Sequence, residues 1–455
     1  MHVEKMMVLA SSVRKLLRRG AQSHAARLVQ KLHPGDISQI IQGLNDRDQL
    51  RIFSLLVKEN RELAAQVLTD LGLERGISLL TSLSGRETAL LLQELETDDR
   101  AAFVSALPEE LANQVLDTMR LEESVQVQGL LRYEKETAGR IMTPNVFALG
   151  EDISVSEAIL SLQQADEFEM VFYLYVVDDR NHLVGVISLR QLLTVSPSTP
   201  LKKIMSGDVI SVATETDQEE VANQVALYDL LAVPVVDHEN KLVGVITVDD
   251  VIDVIKDEAT EDILHLAGVE ADDTVRSSAR SSIQKRLPWL GLNLVLALMA
   301  ASVVYLYEDT IAALPMLAIF LPVVAGMGGN SGTQALTLMV RSLALGEVSW
   351  KNMRDVFTKE LLVGISNGIA LGVLAGGVGY VWSDGNPSVG LALACAMVST
   401  ILLAGVLGTL IPLLLNRLSI DPAVASGIFL HTLTDVISFF SFLGLATLFL
   451  STLGA

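Results

Sequence analysis

The sequence predicts a multi-domain membrane protein in three parts: an all-α superhelical N-terminal domain in the cytosol, a duplicated α/β unit, and a transmembrane domain of five helices. Three observations carry this. Charge collects before Leu287 and hydrophobicity after it, so most of the net charge of -21 over 455 residues belongs to a soluble part. A strand–turn–strand–helix pattern occurs twice in the middle of the chain. Five apolar segments follow, near 288–307, 311–343, 360–382, 388–415 and 421–451, each long enough to span a bilayer. The expected boundaries are 1–136 for the helical domain, 137–262 for the α/β pair, 263–287 for an acidic linker and connecting helix, and 288–455 for the membrane domain.

An excess of acid this large argues against nucleic acid as a partner and suits divalent cations. The single cysteine, Cys395, lies in an apolar segment and reads as a small buried hydrophobe. Arg14, Lys15, Arg18 and Arg19 are not followed by an apolar signal core, so the soluble part is expected to stay on the side of synthesis.

The N-terminal domain shows a loose repeat between Arg27 and Arg132. HPGDISQIIQGL at 33, NRELAAQVLTDL at 60, GRETALLLQEL at 85 and PEELANQVLDTM at 108 align roughly 25 residues apart. Each unit opens on an acid or a proline and continues with apolar residues at helical spacing. Stacked helical hairpins forming a small superhelix are expected, with an irregular bundle as the alternative. Asp98 and Asp99 are expected on its surface.

From Thr137 the second pattern begins. LYVVDDRNHLVGVISLRQLL at 174 recurs as VPVVDHENKLVGVITVDDVI at 233, with Gly185 and Gly244 aligned, and a Met-containing lead precedes each copy, IMTPNVFAL at 141 and IMSGDVISV at 204. This resembles a pair of CBS modules over 137–255. The resemblance implies one α/β unit and, in many cases, an adenosyl nucleotide held through an Asp three positions after a Ser or Thr. The second copy keeps that pair as Thr247 and Asp250; the first has Ser188 with Gln191, which lacks a carboxylate and counts against a nucleotide. An N-cap at the surface is the structural role for Thr247.

The densest charge run follows: Asp249, Asp250, Asp253, Asp257, Glu258, Glu261, Asp262, Glu270, Asp272 and Asp273, against Lys256 alone. Asp250, Asp253 and Asp257 share a helical face, as do Glu258, Glu261 and Asp262 more loosely. Such a run is either a solvated face or a site for hydrated Mg2+, which binds through a few carboxylates and keeps its waters. Arg276, Arg280, Lys285 and Arg286 then form a basic stretch before the first apolar segment. Loop charges set the orientation: Glu308, Asp309 and Asp384 lie in the first and third loops, whereas Lys351, Arg354, Lys359 and Arg417 lie in the second and fourth. A cytoplasmic N-terminus and an external C-terminus follow.

Within the membrane part, Pro322–Ala344 is apolar at both ends and polar and glycine-filled in the middle, which suits a pore lining. It has neither a phosphate-loop nor a GxGxxG spacing, and Gly328 with Gly332 gives a close-packing GxxxG. Gly364, Gly368, Gly372 and Gly376 form a second ridge. In the last segment, Asp421 and Pro422 read as N-cap and first turn. Gly427, His431 and Asp435 recur every four residues, with Thr434 and Ser438 flanking. An acid as deep as Asp435 is a functional candidate; bonding to a neighbouring helix is its structural alternative. No nucleophile and base pairing, Walker loop or His/Cys metal spacing points to an enzyme.

Taken together, PVVAGMGGNSGTQALTLMVRSLALGEV, RLPWLGLNL, TLTDV, TAGRIMTP and VDDVIDVIKDEATEDILHLAG resemble the MgtE family of magnesium transporters along nearly the whole chain. The resemblance implies a homodimer in the bacterial inner membrane with one pore. Its cytosolic acidic and CBS domains would bind Mg2+ and hold the pore shut through the connecting helix. By position, Asp435 is similar to the pore carboxylate, with Gly326, Gly329, Asn330, Gly427, His431 and Thr434 lining the path. Asp98, Glu219, Asp229, Asp250, Asp253, Glu258, Glu261 and Asp262 are similar to the sensor acids. Mg2+ is thus both cargo and regulator, and ATP is a ligand that Gln191 argues against.

Three departures stand out. Ala102 replaces an acid, and His431 and Ser438 replace small or hydroxyl residues and glycine respectively. Because imidazole suits transition metals, Co2+ or Mn2+ is the alternative cargo. A membrane-anchored metal or nucleotide sensor without transport is the alternative of another class.

Overall fold

A computed structural model of the chain describes residues 2–164, 172–270, 273–275, 277–348, 352–418 and 420–453. Asp272, Arg276 and Lys351 of the charge patterns above lie outside the described residues. The chain divides into two compact units, Met1–Ile255 and Lys256–Ala455.

The first unit opens with ten helices: α1 (His2–Arg18), α2 (Gln22–Val29), α3 (Pro34–Gln42), α4 (Asp46–Glu59), α5 (Arg61–Leu71), α6 (Leu73–Leu80), α7 (Gly85–Leu92), α8 (Thr97–Ala106), α9 (Glu109–Thr118) and α10 (Leu121–Leu130). The aligned repeat starts are the starts of α3, α5, α7 and α9. These stack on one another in one layer, while α2, α4, α6, α8 and α10 stack in the other. Local chemistry fixes the boundaries. Asn45, Asn60 and Ser84 cap α4, α5 and α7 through backbone N–H groups, and Ser84 with Glu87 closes a capping box. Between the layers lies an apolar core of Ile37, Phe53, Leu68, Leu80, Leu91 and Phe103, all buried.

The duplicated part begins with α11 (Ala138–Ile141) and β1 (Ala148–Gly150), followed by α12 (Val155–Gln163), β2 (Tyr173–Val177), β3 (Leu183–Ser188) and α13 (Leu189–Thr194). The second copy comprises β4 (Val212–Ala213), α14 (Gln218–Tyr228), β5 (Ala232–Val236), β6 (Leu242–Thr247) and α15 (Val248–Leu266). Each copy has a three-stranded sheet in which a parallel pair is extended by an antiparallel hairpin, ordered β1-β2-β3 and β4-β5-β6. The Met-containing leads are exchanged between copies. Met142 presses on Gly244 of the second copy and Met205 on Gly185 of the first, so a Cβ at either aligned glycine would collide with sulfur. Thr143 pairs with Val245 and Ser206 with Val186.

The second unit contains α16 (Ala279–Leu306), α17 (Glu308–Ala313), α18 (Leu317–Ala344), α19 (Met353–Trp382), α20 (Pro387–Arg417) and α21 (Pro422–Leu453). Among the described residues, four helices are long and apolar enough to cross a membrane: Ala279–Leu306, Met353–Trp382, Pro387–Arg417 and Gly427–Thr452. The glycine-rich α18 has 28 residues but falls outside that set, because Asn330, Ser331, Thr333 and Gln334 dilute its hydropathy. It is nevertheless one unbroken helix, with Pro322 inside it. The connecting helix and first span, placed apart on sequence, are also one element: α16 passes through Pro288 without a break.

The central helix is α20, which packs against α18, α19 and α21. Both glycine series serve these contacts. A Cβ on Gly364, Gly368, Gly372 or Gly376 would come within 2.7–3.0 Å of α20 atoms, and the absence of side chains lets the two backbones meet. On the other side of α20, a Cβ on Gly408 would stand 2.5 Å from the Gly332 carbonyl oxygen.

Candidate functional site

Two groups of sequence-predicted residues are brought together, one in each unit. In the first unit, α8 starts at Thr97 and carries Asp98 and Asp99 in its first turn, where the helix dipole favours acids. Asp98 is not on the surface as expected: it is 8% exposed, because the strand-like lead at Thr143 packs over it and donates a 3.1 Å hydrogen bond from its hydroxyl. Thr143 in turn exchanges backbone hydrogen bonds of 2.8 and 3.0 Å with Val245 on β6. That pairing holds the N-terminus of α8 close to the N-terminus of α15.

There the second set of acids waits. Thr247, buried rather than at the surface, donates from its hydroxyl to Asp249 and, at 2.7 Å, to Asp250. Burial pushes the Asp250 carboxyl from 3.8 up to about 6, with the charges of Asp249 and Asp99 adding to it. Asp98 is pushed well above the usual carboxylate range, first by burial and then by Asp250 and Asp99. Asp99 is raised by burial too, partly relieved by a 3.0 Å hydrogen bond from Thr69, and it feels Asp253 and Asp249. Asp70 on α5 is raised by burial, with Asp253 contributing. Desolvation and like charge thus act together on one patch. Asp99, read on sequence as a surface acid, and Asp249, read as the start of the charge run, belong to this patch though neither was among the predicted sensor acids; Asp70 was not named at all.

Glu219 and Asp229 lie elsewhere, near opposite ends of α14, about 15 Å apart at 1.5 Å per residue. Asp229 is the exposed left-handed C-cap of that helix, at φ 51°. In the first copy, Ser188 caps α13 by accepting from the Gln191 N–H, and the Gln191 amide donates 2.6 Å to the Ile204 carbonyl. The side chain standing where a ribose acceptor is needed is therefore occupied.

In the second unit, the end of α15 meets the start of α21. Leu266 packs among Leu336, Val340, Ala423 and Leu430, and its carbonyl lies 3.4 Å from where a Cβ on Gly427 would be. His265 sits 3.6 Å from Glu261 and 3.4 Å from Asp421. Burial and the Asp421 charge raise the Asp262 carboxyl, and His265 opposes them. Asp421 also caps α21, accepting 2.8 Å from the Ala423 N–H, so the sequence reading found its structural role and missed its charged neighbours. Glu258 lies on the same helix, one turn before Glu261 and Asp262.

Further along α21, the polar residues divide between two faces. Thr434 and Ser438 are 1% and 0% exposed and turn into the packing against α18 and α20. Their hydroxyls donate back along the helix, to His431 O at 2.9 Å and Thr434 O at 2.6 Å. Gly328 makes this possible, since a Cβ there would stand 2.6 Å from Thr400 and 3.0 Å from the Ser438 hydroxyl. Gly329 faces the His431 ring, whose Nδ1 would be 3.3 Å from a Cβ. His431 is exposed and Asp435 half-buried, so both reach the accessible side of α21 within one chain. Gly326 has open space before it and Asn330 is exposed. Among the described residues, no three His, Cys, Asp or Glu side chains converge as a metal-chelating set. What the geometry offers is carboxylates close enough to raise one another's protonation range.

Comparison with known proteins places these features in a family. The model for "divalent cation transporter" matches residues 321–445, that for the MgtE intracellular N domain 32–136, and that for the CBS domain 138–198 and 201–257. The magnesium transporter MgtE of Thermus thermophilus is 35% identical over 97% of this chain and 98% of its own length. The chain belongs to the MgtE family of magnesium transporters. The MgtE of Bacillus subtilis is 34% identical over 96% of both chains. Among solved structures, the cytosolic domain of the Mg2+ channel MgtE in complex with ATP is 35% identical, with a TM-score of 0.51, covering 54% of this chain and 99% of that one.

Proposed function

We propose that this protein is a Mg2+ channel of the bacterial inner membrane, a homodimer whose pore is gated by Mg2+ on its cytosolic carboxylates. The observation that carries the pore assignment is the face of α21 on which His431 and Asp435 stay accessible while Thr434 and Ser438 are buried against the glycines of α18. A second copy would complete the path and present a second Asp435. Mg2+ dehydrates reluctantly, so the ion would pass hydrated, held through its waters by Asp435 and by oxygens near Gly427, with Gly326, Gly329 and Asn330 alongside. In this reading α18 is the fifth span. Its polar residues face protein, water or headgroups rather than hydrocarbon, and the N-terminus is cytoplasmic with the C-terminus external.

The gating proposal rests on the raised carboxyls. Acids that burial and mutual repulsion disfavour as anions gain most from a divalent ion between them. At high cytosolic Mg2+, Asp98, Asp250 and Asp253, and acids such as Glu219, Asp229, Glu258, Glu261 and Asp262, would hold ions whose charge offsets their repulsion and favours the compact form. At low Mg2+ their repulsion opens it. This is a population shift set by the difference in Mg2+ affinity between two states. Two routes lead from there to the pore: the base of α16, which would block it, and the contact of Leu266 and His265 with the start of α21. ATP would bind at the second copy, which keeps the Thr247 and Asp250 pair, whereas in the first Gln191 is tied to Ile204 and argues against a nucleotide there.

Flux into liposomes tests the reading. Neutralising Asp250, Asp253, Glu258 and Glu261 together is expected to leave a channel whose opening and closing no longer follow internal Mg2+; an unchanged Mg2+ response would remove the sensor assignment. Side-by-side flux of Mg2+, Co2+ and Mn2+ through wild type and His431→Ala decides the cargo. Mg2+ is expected to dominate in both, and a transition-metal preference lost with His431 would favour the alternative.

A further inference from the structure

The second unit holds a polar feature that the ion path does not use. Ser331 and Gln334 of α18 and Lys359, Glu360 and Asn367 of α19 line a cavity of about 130 Å³ whose floor is opened by Gly405. The Glu360 carboxylate lies over that glycine, 3.8 Å from where its Cβ would be. Among the described residues, none of Gln334, Lys359, Glu360 and Asn367 has a hydrogen-bond or ion-pair partner. An anion, a cation and two amides left unpaired where α18 and α19 meet are costly unless something from outside satisfies them.

Depth narrows what that is. The 30 residues of α19 make about 45 Å of helix against a hydrocarbon core of about 30 Å, so roughly 15 Å lies in the headgroup regions. Lys359 is six residues after Met353, about 9 Å from the helix start, which places it with Glu360 at the headgroup boundary. Asn367 reaches two turns deeper. Beside the cavity, Leu338, Leu362 and Val363 are exposed and apolar.

We propose that this cavity binds the headgroup of a phospholipid bearing a primary ammonium and a phosphate, with its acyl chains lying along Leu338 and Leu362. The ammonium N–H groups would donate to the Glu360 carboxylate and to the amide oxygens of Gln334 and Asn367, and Lys359 would meet the phosphate. Adjacent opposite charges match a zwitterion. A trimethylammonium headgroup offers no N–H to these acceptors, an amine-free anionic headgroup leaves Glu360 unmatched, and a metal cation is repelled by Lys359. The inference requires only that α19 cross the membrane, and it stands apart from the pore and sensor assignments.

The test is native mass spectrometry of the full chain in detergent, titrated with phosphatidylethanolamine, phosphatidylcholine and phosphatidylglycerol of identical acyl chains. Phosphatidylethanolamine is expected to bind roughly tenfold more tightly than either of the others, as suits hydrogen bonds to a charged group. Glu360→Gln is expected to remove that preference and Glu360→Asp to keep it. If Glu360→Gln does not fold, Lys359→Gln reads the phosphate half and is expected to weaken phosphatidylethanolamine severalfold. Equal binding of the three lipids by wild type, a preference that survives Glu360→Gln, or unchanged affinity in Lys359→Gln would overturn the proposal. Glycerophosphoethanolamine is expected not to compete; competition at concentrations matching the lipid would overturn the lipid as the source of the headgroup.

Discussion

Removing one buried charge should do part of what Mg2+ does to the soluble domains. Asp250 has its carboxyl moved from 3.8 to about 6, which corresponds to about 3 kcal/mol against the ionised form in the compact state at pH 7.5. Asp250→Asn abolishes that penalty and keeps an oxygen to accept from Thr247, so a net gain of about 2 kcal/mol is expected, or roughly 30-fold in the equilibrium between compact and separated forms. Hydrogen–deuterium exchange on the full chain without Mg2+ reads this at α8 and the first turns of α15. Exchange there is expected to be about 30-fold slower in the variant, and added Mg2+ to slow it little further. Exchange as fast as in wild type without Mg2+, with the full Mg2+ response retained, would refute the repulsion argument. The pH dependence has a fixed sign. The compact form holds protons on Asp98 and Asp250 that the separated form, near 3.8, releases. Its stability in Mg2+-free wild type is therefore greatest below about pH 4 and falls as pH rises through about 6.

Other expectations follow from packing and from the second CBS copy. Gly408→Val forces side-chain atoms onto the Gly332 backbone, where even a Cβ would stand 2.5 Å from the carbonyl oxygen. A loss of about 1–3 kcal/mol is expected, measured as a lower melting temperature in detergent; an unchanged melt would show that α18 and α20 are not held at this distance. Gln191→Asp removes the tie to Ile204 and supplies a carboxylate. Calorimetry is expected to find ATP on both copies in the variant and on the second alone in wild type; equal stoichiometry in the two would refute this reading of Gln191.

Much of the fold could be read from sequence because its signals are local and repeated. Helical periodicity with an acid or a proline at each opening marked the starts of α3, α5, α7 and α9, and the four-residue glycine spacing of α19 marked a face that meets α20. Position in space was harder. The Met-containing leads looked like parts of their own copies, whereas Met142 and Met205 pack on the opposite one, a long-range exchange with no local signature. For the same reason Asp98 read as a surface acid: only the Thr143–Val245 pairing buries it. Within α18 the Gly328 and Gly332 pair suggested close packing, and an unbroken helix uses both for approach to α20 and α21. That Asp435 and His431 lie one turn apart on one helix was legible from their spacing. The neighbourhood of His265, Asp262 and Asp421 joins residues far apart in sequence and was not.

The central claim is that Asp435 is the charge that selects the ion. Liposomes containing the full chain and an internal Mg2+ indicator measure it most directly, with Asp435→Ala and Asp435→Asn beside wild type at low internal Mg2+. Loss of Mg2+ influx in both variants, with unchanged melting behaviour in detergent, is the result predicted. Influx equal to wild type in Asp435→Ala would contradict the account.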